Sequence, residues 1–565
     1  MARTVAIGIQ DFGDLIQKNC FYVDKTLFIK EWWESNDSVT LINRPRRFGK
    51  TLNMSMLEQF FSIHYAGRSK LFEGLAIWEE ETYRQLQGTY PVMSLSFARV
   101  KETTLENTKA RIREIIRGVF KNYLFLRNSE ILTQEEKAYF SRILADEAGE
   151  VEVTTALHQL SEFLYRYYGK RVLILLDEYD TPMQEAYVKG YWDGLADFTR
   201  SLFNSTFKTN PYLERAVMTG ITRVSKDSIF SDLNHLEVVT TTSDKYATSF
   251  GFTEPEVFAA LEECGLAEYK EDVKRWYDGF IFGRHKDIYN PWSILNFLDS
   301  GKIAAYWANT SANSLVGKLI REGNRKLKEQ FERLLCGENL ISPIDEQIVY
   351  NQLDGNETAV WSLLLASGYL KVLSAEDYLD IPEGEVPNYE LALTNLEVKV
   401  MFYNMVRSWF RDSEADYNDF VKALLMGDKK AMNAYMNRVA LSTFSYFDTG
   451  AKPSGEEPER FYHGFVLGLI VDLQRDYVIT SNRESGFGRY DVMIEPKNPA
   501  EKDAIILEFK VHDEEDEESL KETVAAALKQ IEEKQYAAGL EVKGIPRERI
   551  RSYGVAFQGK KVLIG

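Results

Sequence analysis

The stretch Val39–Thr51, VTLINRPRRFGKT, decides how the rest of the chain reads. Val39, Leu41 and Ile42 form a short apolar run suited to a buried strand, and the turn after it ends in Gly49-Lys50-Thr51. A helical pattern of Leu52, Met54, Met56, Leu57, Phe60 and Phe61 follows at once. Strand, loop, Gly-Lys-Thr and helix make a P-loop, in which backbone N–H groups and the helix dipole form a nest for phosphate. Lys50 then reaches the β- and γ-phosphates of a nucleotide, and the Thr51 hydroxyl ligates Mg²⁺. The candidate nucleotide-binding residues here are Arg46, Arg47, Phe48, Gly49, Lys50, Thr51 and Leu52. One position is irregular. The G-x-x-x-x-G-K-[ST] template asks for glycine at 44. The chain has Arg44, which with Arg46 and Arg47 surrounds Pro45. A Gly-Lys-Thr tripeptide alone occurs by chance; the strand before it and the helix after it give it meaning.

Residues 170–183, KRVLILLDEYDTPM, hold the second signal. Val172–Leu176 is an unbroken aliphatic run, as expected of a central parallel strand buried on both faces. It ends in Asp177-Glu178, where a P-loop ATPase keeps a carboxylate for Mg²⁺ and a glutamate to polarise the attacking water. The bland alternative is an acidic turn closing a core strand, and Lys50-Thr51 upstream weakens it. A strand at Arg215–Thr219 ends in Gly220-Ile221-Thr222-Arg223, so Thr219 or Thr222 is placed to sense the γ-phosphate and Arg223 to act as an arginine finger in cis. Another strand is expected within Tyr90–Val100, and helices over Glu102–Leu126, Gln134–Ala145 and Val153–Tyr168. Before the loop, Leu15, Phe21, Phe28, Ile29 and Trp32 read as an amphipathic lead-in. Phe21 or Tyr22 either stacks on a base or, more simply, belongs to the core.

The RPRRFGKT loop, the LLDEYD strand end, the TGITRVSKDSIFSDLN segment and the later WYDGFIFG and IYNPWSIL stretches together resemble the bacterial AAA-ATPase-like family of ATP-binding proteins. The family loop similarly reads RPRRFGKT, so Arg44 is no departure from it. Members often carry a C-terminal PD-(D/E)XK nuclease domain. The resemblance covers residues 1–300 and, more weakly, the C-terminal end, and it implies ATP with Mg²⁺ as ligands.

The C-terminal pattern fits that implication. In DAIILEFKV, Ile505, Leu507, Phe509 and Val511 share one face of a strand, and Ile506, Glu508 and Lys510 share the other. Asp491 follows a Gly-Arg-Tyr turn on the preceding strand and comes within reach of Glu508 if the two strands pair. Two carboxylates, Asp491 and Glu508, suit a Mg²⁺ or Mn²⁺ that activates water, with Lys510 orienting the water or stabilising the transition state. By the family pattern Glu459 on the first helix and Gln530 on a later one join this site. A cross-strand charge pair is the alternative for an isolated Glu-x-Lys. The acidic run Asp513–Glu518 reads as a solvated loop.

The expected fold class is α/β: a P-loop ATPase domain with a parallel sheet and small helical lid (1–300), a helical, winged-helix-like linker (301–450) and a restriction-endonuclease-like α/β domain (451–565). Residues 449–458, rich in Gly, Pro and charge, mark a boundary. A chain of 565 residues exceeds one core. The net charge of −18 excludes an extensive basic coat but not a local basic groove for DNA or RNA. Three scattered cysteines (Cys20, Cys264, Cys336) fit a reducing cytosol. The N-terminus lacks a signal-peptide core, and the longest apolar run, near Phe465–Val471, is too short to span a bilayer. The expectation is a cytoplasmic ATPase whose nucleotide state controls a metal-dependent nuclease, in defence or mobile-element biology. The alternative is an ATP-dependent signalling or scaffold switch with an inert nuclease fold that binds nucleic acid or protein. Homo-oligomerisation or a protein partner fits either; membrane binding fits neither.

Overall fold

In the computed structural model the strand before the phosphate loop, β1 (Val39–Asn43), is buried along its whole length. With β2 (Val92–Ser96), β3 (Val172–Asp177), β4 (Leu213–Gly220) and β5 (Leu236–Val239) it forms a parallel five-stranded sheet in the order β2-β3-β4-β1-β5. The aliphatic run of β3 shows no alternation because all six of its residues are buried, as in a strand covered on both faces. Register aligns the chemistry at one edge. Asn43 pairs with Gly220, Ser96 with Asp177 and Leu176 with Met218, so the C-terminal ends of β1, β3 and β4 are level.

The described residues are 3–222, 229–230, 233–307, 313–322, 325–346, 353, 356–409, 417–443, 466, 469–470, 473, 476–485, 488–499, 502–513, 517–558 and 561–565. They divide into two compact units, Met1–Glu322 with Gly337–Met401, and Gly323–Cys336 with Phe402–Gly565. No described helix is long and apolar enough to cross a membrane. The boundary loop at 449–458 lies outside the described residues.

In the first unit, helix Lys50–Phe61 packs Met54, Met56, Leu57, Phe60 and Phe61 on the sheet together with Phe12, Phe28, Ile29 and Trp32 of the lead-in. Phe21 sits in a second cluster with Phe252, Val257, Tyr277 and Tyr289. Tyr22 meets Phe12 edge-on at 5.7 Å, and its hydroxyl accepts the Lys25 N–H at 3.2 Å. Phe21 is therefore a core residue, and Tyr22 is partly buried against the core. Helix Gln134–Ala145 starts at a capping box formed by Thr133 and Glu136. The helix expected over Val153–Tyr168 is two, Glu150–Thr154 and Ala156–Tyr168.

Residues 252–300 are only partly helical. β6 (Phe252–Thr253), β7 (Asp278–Phe282) and β8 (His285–Tyr289) make a small antiparallel sheet, flanked by helices Glu254–Glu263, Lys270–Tyr277 and Pro291–Ser300. The last starts where Asn290 Oδ1 accepts the N–H groups of Trp292 and Ser293, with Pro291 in the first turn. Further along, β9 (Leu340–Pro343), β10 (Leu370–Ala375) and β11 (Asn388–Leu393) form a second antiparallel sheet, with β11 in the middle.

The second unit is built on β12 (Tyr477–Ser485), β13 (Gly488–Pro496), β14 (Ala504–Val511), β15 (Ile550–Gln558) and β16 (Lys561–Ile564), paired in that order. All pairs are antiparallel except β14 with β15. Ile505, Leu507 and Phe509 pack with helices Tyr417–Met426 and Lys429–Thr443, while Met493 and Ile506 pack on the opposite face with Ile531, Tyr536 and Leu540. The period-two reading of β14 thus holds.

Candidate active sites

The phosphate loop is held by residues that the template does not mention. Arg44 is fully buried, and its guanidinium donates to the carbonyls of Asn43 (3.0 Å), Thr240 (2.5 Å) and Lys245 (3.2 Å) while lying 4.5 Å from the Phe282 ring. Burial pushes it down to about 9, with Glu31 and Glu346 pulling the other way. Pro45 packs so closely on Gly368 that a Cβ there would lie 2.7 Å from Pro45 Cγ. The Arg46 carbonyl accepts from Asn290 Nδ2 (3.3 Å) and Trp307 Nε1 (3.0 Å), and its guanidinium donates to Gln184 Oε1 (3.1 Å). Arg47 lies 4.2 Å over Trp292, and Phe48 is buried edge-on against Phe280 at 4.7 Å. With those side chains so engaged, the loop offers phosphate its backbone. Arg47 and Gly49 have φ of +66° and +79°, left-handed values that alternate as in an anion nest. Among the described residues the N–H groups of Arg47, Phe48 and Gly49 meet no acceptor. Those of Lys50, Thr51 and Leu52 open the helix, where no intrahelical acceptor exists.

Lys50 is buried, and its Nζ donates to the carbonyls of Arg44 (2.7 Å) and Pro45 (2.8 Å). Burial lowers its pKa, and Glu178, Asp180 and Asp177 oppose that shift. Asp177 is gripped on both oxygens: Thr51 Oγ1 donates to Oδ2 at 2.8 Å and Thr219 Oγ1 to Oδ1 at 2.5 Å. Burial raises the Asp177 carboxyl above its ordinary range, against those two hydrogen bonds. Thr219 also accepts the Glu178 N–H at 3.2 Å, so the strand between β1 and β3 ties the two carboxylates together. Glu178 itself has φ +49°, a strained value for a residue with a Cβ, at the strand tip where strain marks functional positions.

Motif spacing alone does not single out Asp180, although LLDEYD displays it. It is buried, and its Oδ2 accepts the N–H groups of Ile221 (2.9 Å) and Thr222 (3.1 Å), while the Tyr179 hydroxyl donates to the Thr222 carbonyl at 2.6 Å. Burial raises the Asp180 carboxyl too. Asp180 and Tyr179 therefore fix the β4 tip that carries Thr219. Arg223 lies outside the described residues.

In the second unit Val492 pairs with Leu507, which brings Asp491 and Glu508 to the next cross-strand position. Asp491 Oδ2 accepts the Phe509 N–H at 2.8 Å. Glu508 is buried beside Gly554 of β15, and Gln530 Nε2 from helix Leu520–Glu533 donates both to Glu508 Oε1 and, at 3.2 Å, to the Tyr536 hydroxyl. Burial raises the Tyr536 pKa, with Glu508 and Asp491 adding to the rise. Lys510 lies two residues along the same face, half-buried and level with Ala556. Asp491, Glu508, Lys510 and Gln530 thus share one face; Glu459 lies outside the described residues. Both sites present oxygen donors, the set preferred by Mg²⁺ and Mn²⁺.

Among the described residues one further carboxylate group, Glu254, Asp278 and Asp287, brings ligand atoms within 4.8 Å of one another. Lys274 Nζ is 2.6 Å from Glu254, so a lysine already offsets part of the charge of this cluster.

Comparison with known proteins gives matches over the two regions that carry these residues. Residues 6–230 match the family model described as “Predicted AAA-ATPase”. Residues 457–565 match that of the PD-(D/E)XK nuclease superfamily. An “Uncharacterized protein in vnfD 5'region” of Azotobacter chroococcum mcd 1 is 26% identical over 403 residues, covering 70% of this chain and 68% of that protein.

Proposed function

We propose that this chain, with a predicted AAA-ATPase region followed by a PD-(D/E)XK nuclease-superfamily region, binds and hydrolyses ATP and uses its nucleotide state to control metal-dependent cleavage of nucleic acid. One observation carries the reading: Lys50, Thr51, Asp177, Glu178 and Thr219 converge at the level ends of β1, β3 and β4. The loop N–H groups bind the phosphates, and Lys50 exchanges the Arg44 and Pro45 carbonyls for the β- and γ-phosphate oxygens. Thr51 and Asp177 hold the metal, Glu178 orients the attacking water, and Thr219 keeps both carboxylates in place. Bound Mg²⁺ supplies charge neutralisation and, at the second site, an acidified water. There Asp491 and Glu508 are the ligands, Lys510 holds the water or the developing negative charge, and Gln530 fixes the Glu508 carboxylate.

Support for control comes from the loop itself. Its carbonyl at Arg46 is tied to Asn290 and Trp307, so a change in the loop on nucleotide binding is felt beyond the sheet. A cytoplasmic setting suits these ligands.

The deciding experiment offers double-stranded DNA, single-stranded DNA and RNA with Mg²⁺ or Mn²⁺, with and without ATP. Wild type is expected to cleave at least one substrate, Glu508→Ala none, and Lys50→Ala to lose the response to ATP. Absence of cleavage under every condition, with ATP binding retained, would replace this reading with that of an ATP-dependent switch bearing an inert nuclease fold.

A further inference from the structure

Two surfaces of the first unit carry opposite charge around exposed apolar side chains. The first is the hairpin joining β10 to β11. Residues 372–396 contain Glu376, Asp377, Asp380, Glu383, Glu385 and Glu390 and no Lys, Arg or His. None of these carboxylates has a cationic partner among the described residues. At the hairpin tip Tyr378, Leu379 and Val386 are 70%, 92% and 60% exposed. The tip is nevertheless ordered by its own hydrogen bonds: Glu376 N–H to Asn388 O (3.0 Å), Leu379 N–H to Asp377 Oδ1 (3.0 Å) and Glu385 N–H to Pro382 O (3.1 Å). An ordered finger that shows water three large apolar side chains marks an interaction site.

The second surface lies where helix Ala156–Tyr168 ends and the chain enters the N-terminal end of β3. Tyr165, Tyr167 and Leu124 are 39%, 43% and 46% exposed. Tyr167 packs 4.7 Å from Phe125 and 4.8 Å from Tyr168, and Lys170 Nζ lies 4.6 Å over the Tyr90 ring. Around this aromatic platform Lys121, Arg127, Lys170 and Arg171 are exposed and have no carboxylate partner among the described residues. It belongs to the strand ends opposite those carrying Lys50 and Asp177, so covering it leaves the nucleotide site open.

We propose that these surfaces are the two halves of one heterologous interface, the acidic hairpin of one copy seating Tyr378, Leu379 and Val386 on the basic aromatic platform of the next. Each half supplies what the other lacks: exposed apolar side chains beside unpaired charges of one sign, acidic on the hairpin and basic on the platform, where Arg166 is already paired with Glu136 and Glu162. Because the two patches differ, the contact is head-to-tail and propagates to a ring or a short filament unless closure stops it. Exposed ion pairs contribute little by themselves, so the apolar contact gives affinity and the charges give register and salt dependence. The proposal is independent of the nucleotide and nuclease readings, and its association assay contains neither nucleotide nor nucleic acid.

The probe is the chain itself, in sedimentation equilibrium up to about 100 μM at about 50 mM and about 500 mM NaCl. Wild type is expected to associate at low salt and to dissociate as salt rises. Asp377→Lys/Asp380→Lys/Glu383→Lys and Lys170→Glu/Arg171→Glu are each expected to be monomeric alone, because each cancels the net charge of one face and sets like charges against the other. An equimolar mixture of the two is expected to associate, since one wild-type contact remains; this recovery also shows that both variants are folded. Leu379→Ser/Val386→Ser is expected to weaken association at least about tenfold at both salts. A wild type that stays monomeric at low salt overturns the proposal, as does a mixture that fails to recover association. So does a platform variant whose only loss is affinity for a single-stranded oligonucleotide, which would make the platform a nucleic-acid surface.

Discussion

Arg44 stands where the general template has glycine because its guanidinium supplies from a side chain what the loop needs to keep its shape. Three backbone carbonyls and one aromatic ring converge on it. Arg44→Met keeps the volume but leaves those carbonyls without a donor, and a broken buried network of this kind costs about 3–5 kcal/mol. Denaturant unfolding should show that loss, whereas Lys50→Ala should cost far less stability and remove ATP binding. Charge is also stored where no ligand is proposed. Burial and the neighbouring Asp287 raise the Asp278 carboxyl to about 6. A folded-state value above the unfolded one means a stabilising contribution present in full below the ordinary aspartate pKa and lost as pH rises through about 6. Asp287→Asn removes the repulsion, so its melting point should equal that of wild type near pH 4 and exceed it by about 1–2 °C at pH 7.5, the half-exposed site being screened. A difference that shrank with rising pH would contradict the assignment.

At the scale of elements, helix Leu520–Glu533 shows how a single small residue positions a site. Gly554 of β15 lies under it, and a Cβ there would come within 2.7 Å of the Val524 carbonyl and 3.0 Å of Ala527 Cβ. Only because that position is glycine does the helix settle low enough for Gln530 to reach Glu508, which pairs with Gly554. Gly554→Val should lift the helix, part Gln530 from Glu508 and reduce metal-dependent cleavage at least about tenfold, with a destabilisation of about 1–3 kcal/mol from overpacking. Cleavage at the wild-type rate by a folded Gly554→Val would show that Gln530 has no positioning role. The elements carrying both sites were readable because their patterns are strong: an unbroken apolar run in β3, apolar and charged residues alternating over Leu507–Val511 at the end of β14, and Gly-Lys-Thr between strand and helix. The elements that escaped are those with weak local signals. β6 has two residues and β9 and β16 four each, lengths at which pairing partners, not periodicity, decide the conformation. Within the site, the roles of Asp180, Asn290 and Trp307 depend on contacts across tens to hundreds of residues, and no local pattern announces them.

For the whole molecule, the division into two units fixes what a ligand can stabilise. Lys50, Thr51, Asp177, Glu178 and Thr219 all lie in the first unit, and Asp491, Glu508, Lys510 and Gln530 all lie in the second. A ligand that binds only the folded form of one unit raises the unfolding free energy of that unit by RT ln(1 + [L]/Kd), about 2.7 kcal/mol at a hundredfold excess over Kd. Scanning calorimetry should therefore resolve two transitions. A non-hydrolysable ATP analogue with Mg²⁺ should raise the one that Lys50→Ala makes insensitive to nucleotide. Mn²⁺ alone should raise the one that Glu508→Ala makes insensitive to metal. Control of one site by the other adds a further requirement, because coupling free energies are reciprocal. If nucleotide biases metal binding, Mn²⁺ must bias nucleotide binding by the same factor. The nucleotide affinity of wild type measured with Mn²⁺ already saturating the nuclease site should then differ from that of Glu508→Ala under the same conditions. Equal affinities in the two proteins would mean that the ATPase and the nuclease share a chain without sharing an equilibrium, and control would have to act through hydrolysis or through assembly.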